Sequence, residues 1–149
     1  MDEAVQVIAR LTAAERTLVT AESCTGGLLG KLLTDVPGAS AVYLGGIISY
    51  AYAVKERLLG VPHALLEAQG AVCEPEGARS LLGADYALSV TGNAGPGADE
   101  KNPRVGEIFV ACADAAGTGC VRLECGGTRA ENREAACRAA LRLLLERAV

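Results

Sequence analysis

Three short stretches carry the side chains best suited to chemistry. In ESCTGG, Ser23, Cys24 and Thr25 run directly into Gly26 and Gly27. A hydroxyl or thiol there is a candidate nucleophile, and paired glycines let backbone N–H groups approach an oxyanion or a phosphate. The plainer alternative is a tight turn in which Ser23 or Thr25 caps a helix. A serine nucleophile needs a base. The one histidine, His63, stands in GVPHALL at a predicted helix start and is poorly suited to a Ser-His-Asp triad. Lysine is the other route, because a desolvated lysine can give up a proton and an arginine effectively cannot. Lys55, in SYAYAVK, follows a predicted strand and could lie beside Ser23, with Tyr50 to relay or orient a proton. Taken alone, Lys55 reads more simply as a solvated residue in a first helical turn. The third stretch, TGNAGPG, offers Thr91, Gly92 and Asn93, a turn that either presents N–H groups to an anion or merely reverses the chain. Arg129 and Arg133 are solvated charges or bidentate phosphate ligands.

The elements that must position these residues follow from periodicity. A helix is expected over 2–14, with Val5, Ile8, Ala9 and Leu11 at helical spacing. ERTLVTAES reads as a buried strand, and a helix through Leu28, Leu29, Leu32 and Leu33 stops before Pro37 and Gly38. AVYLGGIISY reads as a central strand interrupted by Gly45 and Gly46. A helix ending at Gly60 and Pro62 follows, then short helices in HALLEAQG and EPEGARSLLG, and a third strand in DYALSV. TGNAGPGADEKNP is a long loop, and long loops often carry function. GEIFVACADA and CVRLEC, joined by AGTG, predict an antiparallel hairpin. The last helix should turn Ala135, Ala136, Ala139, Ala140, Leu143 and Leu144 inward and its arginines outward. Alternating strands and helices predict a single domain over 1–149: a three-layer α/β/α sandwich with a mixed, mostly parallel five-stranded sheet. In such a sheet ligands bind at the carboxyl ends of strands, where all three stretches fall.

Composition narrows the classes. Half the residues are hydrophobic and 21% are charged, the balance of an ordinary globular chain. Aromatics are 3%, too few for a base-stacking platform, and a net charge of -4 argues against a general nucleic-acid or acidic-membrane binder. No apolar run approaches the roughly 20 residues of a membrane span. Six cysteines show no C-x-x-C and no histidine at ligand spacing, so neither a zinc site nor another cofactor motif is expected. MDEAVQVIARL carries no signal-peptide pattern, so the expected setting is cytoplasmic, with the thiols reduced and acting mostly as small buried hydrophobes.

In order, AESCTGGLLGKLLTDVPGAS, YLGGIISYAYAVKERLLGVP, GAVCEPEGAR, GADYALSVTGNAGPGAD and RVGEIFVA resemble the C-terminal domain of the competence/damage-inducible CinA family across nearly the whole chain. Stand-alone members of that family resemble nicotinamide-nucleotide amidohydrolase. The resemblance implies a three-layer α/β/α fold and hydrolysis of the carboxamide of nicotinamide mononucleotide (NMN) to nicotinate mononucleotide and ammonia. It implies a homodimer, with Ser23 as nucleophile, Lys55 as base and Tyr50 assisting. Thr91 and Gly92 match a turn lining the family's pocket, and Arg129 matches a basic position in a G-x-R stretch. Backbone N–H groups near Thr25, Gly26 and Gly27, or near Thr91 and Gly92, would hold the oxyanion or the phosphate. The chain departs from the family's Y-S-N-x-x-K by placing Ala51 and Tyr52 in YAYAVK, and from T-G-I-A-G-P by placing Asn93 in TGNAGP. It is also about one and a half helical turns shorter between GAVCE and GAD. The alternative to an enzyme is a non-catalytic nucleotide-binding or interaction domain tied to competence or DNA damage.

Overall fold

The computed structural model describes residues 2–64, 75–98, 100 and 103–148. Its elements are α1 (Asp2–Ala14), β1 (Leu18–Glu22), α2 (Leu28–Thr34), a short 3-10 turn (Ala39–Ala41), β2 (Tyr43–Ile48), α3 (Tyr52–Leu59), α4 (Pro75–Leu82), β3 (Tyr86–Gly92), β4 (Glu107–Asp114), β5 (Gly117–Glu124) and α5 (Arg129–Arg147). The predicted helix HALLEAQG lies almost wholly outside the described residues.

The five strands form one mixed sheet in the order β2-β1-β3-β4-β5. β1 pairs in parallel with both β2 and β3, whereas β4 is antiparallel to β3 and to β5. Four strands therefore run one way and β4 opposes them. Glu22 lies opposite both Ile48 and Val90 in register, so the carboxyl ends of β1, β2 and β3 finish side by side.

Helices cover both faces. α1, α2 and α5 share one apolar cluster with Leu18, Leu88, Val90, Ile108 and Val110. α3 and α4 cover the other face through Leu59 and Ala78, joined by Val61 just past α3, packed on Val19, Ala21 and Ala87. Burial on both faces explains why β1 is apolar without alternation.

Several expectations need correction. β2 is an edge strand, not a central one: its residues alternate between half-buried and exposed, the pattern of a strand with one solvated face. The hairpin turns at Ala115 and Ala116, with Ala116 N donating to Asp114 Oδ1 at 2.8 Å, and Gly117, Thr118 and Gly119 belong to β5. Ala135 faces solvent; the buried stripe of α5 is Asn132, Ala136, Cys137, Ala140, Leu141, Leu143 and Leu144. In α1 the buried stripe is Ala4, Val7, Ile8 and Leu11, and Val5 and Ala9 point outward. A cluster of apolar residues announces a helix more securely than it announces which side meets the core.

Candidate active site

β1 ends at Glu22, and a turn carries the chain through Ser23, Cys24 and Thr25 into α2. Gly26 and Gly27 take φ of +57° and +108°, which favours glycine at both positions. No side chain caps α2 from Gly27. The buried Glu22 carboxylate serves instead: Leu29 N and Thr25 Oγ1 each donate to its Oε1 at 2.8 Å, and Gly30 N donates to its Oε2 at 2.9 Å. Free N–H groups at a helix start attract an anion, and here the chain supplies its own.

That arrangement assigns the ESCTGG residues different surroundings. Thr25 is fully buried, its hydroxyl on Glu22 and its carbonyl accepting from Arg133 Nη2 at 2.6 Å. Thr25, Gly26 and Gly27 do not line the cavity that holds Ser23. Ser23 is anchored by its own backbone: its N–H donates to Val90 O at 2.9 Å, and its carbonyl accepts from Gly26 N at 3.0 Å. Its side chain borders a cavity of about 500 Å³ at the ends of β1, β2 and β3.

Lys55, Tyr50, Gly92 and Arg129 border the same cavity. Lys55 is not a solvated residue: it is 2% exposed, and its Nζ donates to Thr91 Oγ1 at 2.8 Å. α3 turns Lys55 and Leu59, one turn apart, toward the sheet. The Tyr52 ring lies under the amine, its centroid 5.7 Å from Nζ. Thr91 thus accepts from Lys55 and does not itself line the cavity. Tyr50 is 61% exposed, and its hydroxyl accepts from Arg129 Nη2 at 3.1 Å. Arg129 Nη1 donates to Gly95 O at 2.5 Å, so this arginine bridges the β2–α3 segment and the loop after β3.

Cys24 also borders the cavity. Strand alternation would let only one of Ser23 and Cys24 face it, but both lie in the turn beyond the last β1 residue and alternation no longer applies. Burial pushes the Cys24 thiol up to about 11, against the opposing pull of Lys55, Arg129 and Arg133. A thiol that keeps its proton near neutral pH is a weak nucleophile.

Gly92 and Asn93, both read from the sequence as candidates, form the β3 side of the cavity wall, and Asn132, which the motif reading passed over, braces the loop behind them. At Gly92, φ is +145°, and a Cβ would run into the Glu107 carbonyl oxygen. Asn93 clamps the loop that follows: its backbone pairs with Glu107 O at 3.0 Å and Gly106 N at 2.8 Å. Its Nδ2 donates to Gly97 O and its Oδ1 accepts from Gly95 N, both at 2.9 Å. From α5 the buried Asn132 donates to Ala94 O at 3.0 Å and accepts from Gly127 N at 2.9 Å. One signal could have revealed Asn132: it is the polar member of an otherwise apolar stripe. α5 begins on a capping box, in which Thr128 and Glu131 satisfy each other's backbone N–H. Among the described residues no group of three or more His, Cys, Asp or Glu could hold a metal ion, and no helix is long and apolar enough to cross a membrane.

A three-layer α/β sandwich with a serine and a buried lysine bordering one cavity at its parallel strand ends defines the class of protein. More narrowly, the chain belongs to the CinA C-terminal domain family, whose model matches residues 2–148. A CinA-like protein of Anaeromyxobacter sp. (strain K) is 46% identical over 144 residues, covering 93% of this chain and 35% of that protein. A CinA-like protein of Geobacter sulfurreducens is 50% identical over 107 residues, covering 68% of this chain and 26% of that protein. The chain therefore spans about a third or less of the length of these relatives. Among solved structures, a CinA superfamily protein from Klebsiella pneumoniae superposes with a TM-score of 0.92 at 29% identity, covering 98% of this chain and 95% of that one. The competence/damage inducible protein from Agrobacterium tumefaciens superposes with a TM-score of 0.84 at 32% identity, covering 97% and 93%.

Proposed function

We propose that this chain hydrolyses the carboxamide of NMN, with Ser23 as nucleophile and Lys55 as base. One observation supports the assignment above the others: Lys55, which borders the cavity, is buried and donates to Thr91 at 2.8 Å, in the same cavity that Ser23 borders. Ser23 Oγ adds to the carboxamide carbon while its proton passes to the neutral Lys55 amine. As the tetrahedral oxyanion collapses, Lys55 passes that proton to the carboxamide nitrogen, which leaves as ammonia, and an ester remains on Ser23. Water attacks the ester, losing a proton to Lys55. The second collapse returns this proton to Ser23 Oγ and frees nicotinate mononucleotide. The oxyanion needs N–H donors other than those of Leu29 and Gly30, which Glu22 already occupies. Arg129, at the cavity rim, is the proposed phosphate ligand and would exchange Tyr50 for the phosphate. The homodimer implied by the resemblance belongs to this proposal, and sedimentation analysis measures it.

Ammonia release from NMN by the purified chain is the test. Wild type and Cys24→Ala should turn over, while Ser23→Ala and Lys55→Met should fall by 10³-fold or more, an order of magnitude typical of losing a nucleophile or its base. Turnover by folded Ser23→Ala rejects the serine. The non-catalytic reading has one observation in its favour: the Tyr52 ring face stabilises the charged amine, the form that cannot accept a proton. It expects NMN to bind without ammonia release.

A further inference from the structure

We propose that Tyr52 is a positioning residue for Lys55, its ring face holding the amine against Thr91 and setting the pH at which the lysine becomes available as a base. The proposal deepens the reading of Lys55 as the base for Ser23, and in that respect rests on it.

Tyr52 and Lys55 stand three residues apart on α3, which places them on one side of the helix. Nζ lies 5.7 Å from the ring centroid, inside the roughly 6 Å over which a ring face attracts a cation. The ring has little freedom of its own. Tyr52 is half-buried and packs with Ile47 against the apolar cluster of Val19, Ala21, Leu59 and Val61. The same amine donates to the Thr91 hydroxyl, on a strand paired to both β1 and β4. The lysine head is thereby in contact with an oxygen from the sheet and a ring from its own helix.

Among the described residues, the charged and titratable groups on the surrounding elements include Glu22 and Cys24 at the end of β1, Tyr50 before α3, and Arg129 from α5. α4, packed on α3, brings Glu76 and Arg79, which are paired with each other at 2.8 Å. Arg129 keeps its charge throughout the accessible pH range. Against that background the ring acts selectively, because its quadrupole attracts the ammonium and leaves the neutral amine unaffected. An aliphatic residue at position 52 would give the same apolar cover without that preference. The ring therefore favours the ammonium form of Lys55 over the neutral amine.

The chain has three lysines, Lys31, Lys55 and Lys101, so lysine labelled with ¹³C at Cε gives a spectrum simple enough to titrate site by site. Lys55→Met identifies the resonance. Wild type, Tyr52→Phe, and chains with mono-, di- and trifluorinated phenylalanine at position 52 are then titrated, the fluorines draining the ring face at nearly constant shape. We expect Tyr52→Phe to keep the wild-type midpoint. The Lys55 midpoint should then fall stepwise with each fluorine while Lys31 and Lys101 stay put, and the acidic limb of kcat/KM for NMN should move with it. A Lys55 midpoint that stays level across the fluorine series overturns the proposal, even if turnover still requires Lys55. A midpoint that falls stepwise in a chain that releases no ammonia supports the ring contact and removes the catalytic reading alone.

Discussion

Replacing Glu22 by glutamine tests whether the turn bearing Ser23 depends on an internal anion. The carboxylate accepts from Leu29 N, Gly30 N and the Thr25 hydroxyl, and it is buried. A glutamine has nearly the same shape but only one acceptor oxygen. If that oxygen keeps Leu29 and Thr25, the amide nitrogen faces the Gly30 N–H and two donors meet. Hydrogen bonds to a charged group are worth about 1.5–3 kcal/mol against about 1 kcal/mol for neutral ones, and an orphaned buried donor costs about 1–3 kcal/mol. Weakening two bonds and orphaning one donor together give a loss of about 3 kcal/mol. For a chain of this size that lowers Tm by roughly 10 °C. Urea unfolding followed by far-UV circular dichroism should show the midpoint falling with an unchanged slope. A loss below about 0.5 kcal/mol would refute the reasoning and mean that water can replace the carboxylate at the start of α2.

Three further outcomes are expected. Asn132→Ala strands the Ala94 carbonyl and the Gly127 N–H, so it should cost about 2 kcal/mol in urea unfolding and loosen the loop after β3. Iodoacetamide at pH 7.5 should label the exposed Cys120 at least tenfold faster than the buried Cys24, whose thiol burial pushes up to about 11, as peptide mass spectrometry would read. Asp85 is held below the ordinary carboxylate value first by the Thr17 backbone N–H at 2.8 Å, then by the Thr17 hydroxyl and Arg16. Its contribution is therefore complete above the unfolded value of 3.8 and disappears as pH falls through the lower folded value, so Asp85→Asn should flatten the acid limb of stability below about pH 4.

The sequence by itself determined the periodic elements and their order. Leu28 to Leu33 reads as a helix because apolar residues recur at its period, and the motifs fall at strand ends because glycines and hydroxyls interrupt apolar runs there. It also contained the resemblance to the family that residues 2–148 match. Tertiary structure alone decided what depends on distant neighbours. Lys55 reads as a first-turn surface residue until the end of β3 brings Thr91 to it from 36 positions away. Glu22 looks like the polar end of a strand until α2 folds back and its N–H groups close on the carboxylate. The place of β2 at the sheet edge was likewise absent from the local pattern, and the pattern marked Asn132 only as a polar member of the α5 stripe, without the Ala94 carbonyl and Gly127 N–H that it meets. The physical reason is the same in each case: periodicity is a property of a segment, whereas burial and partnership belong to the surfaces that segment meets.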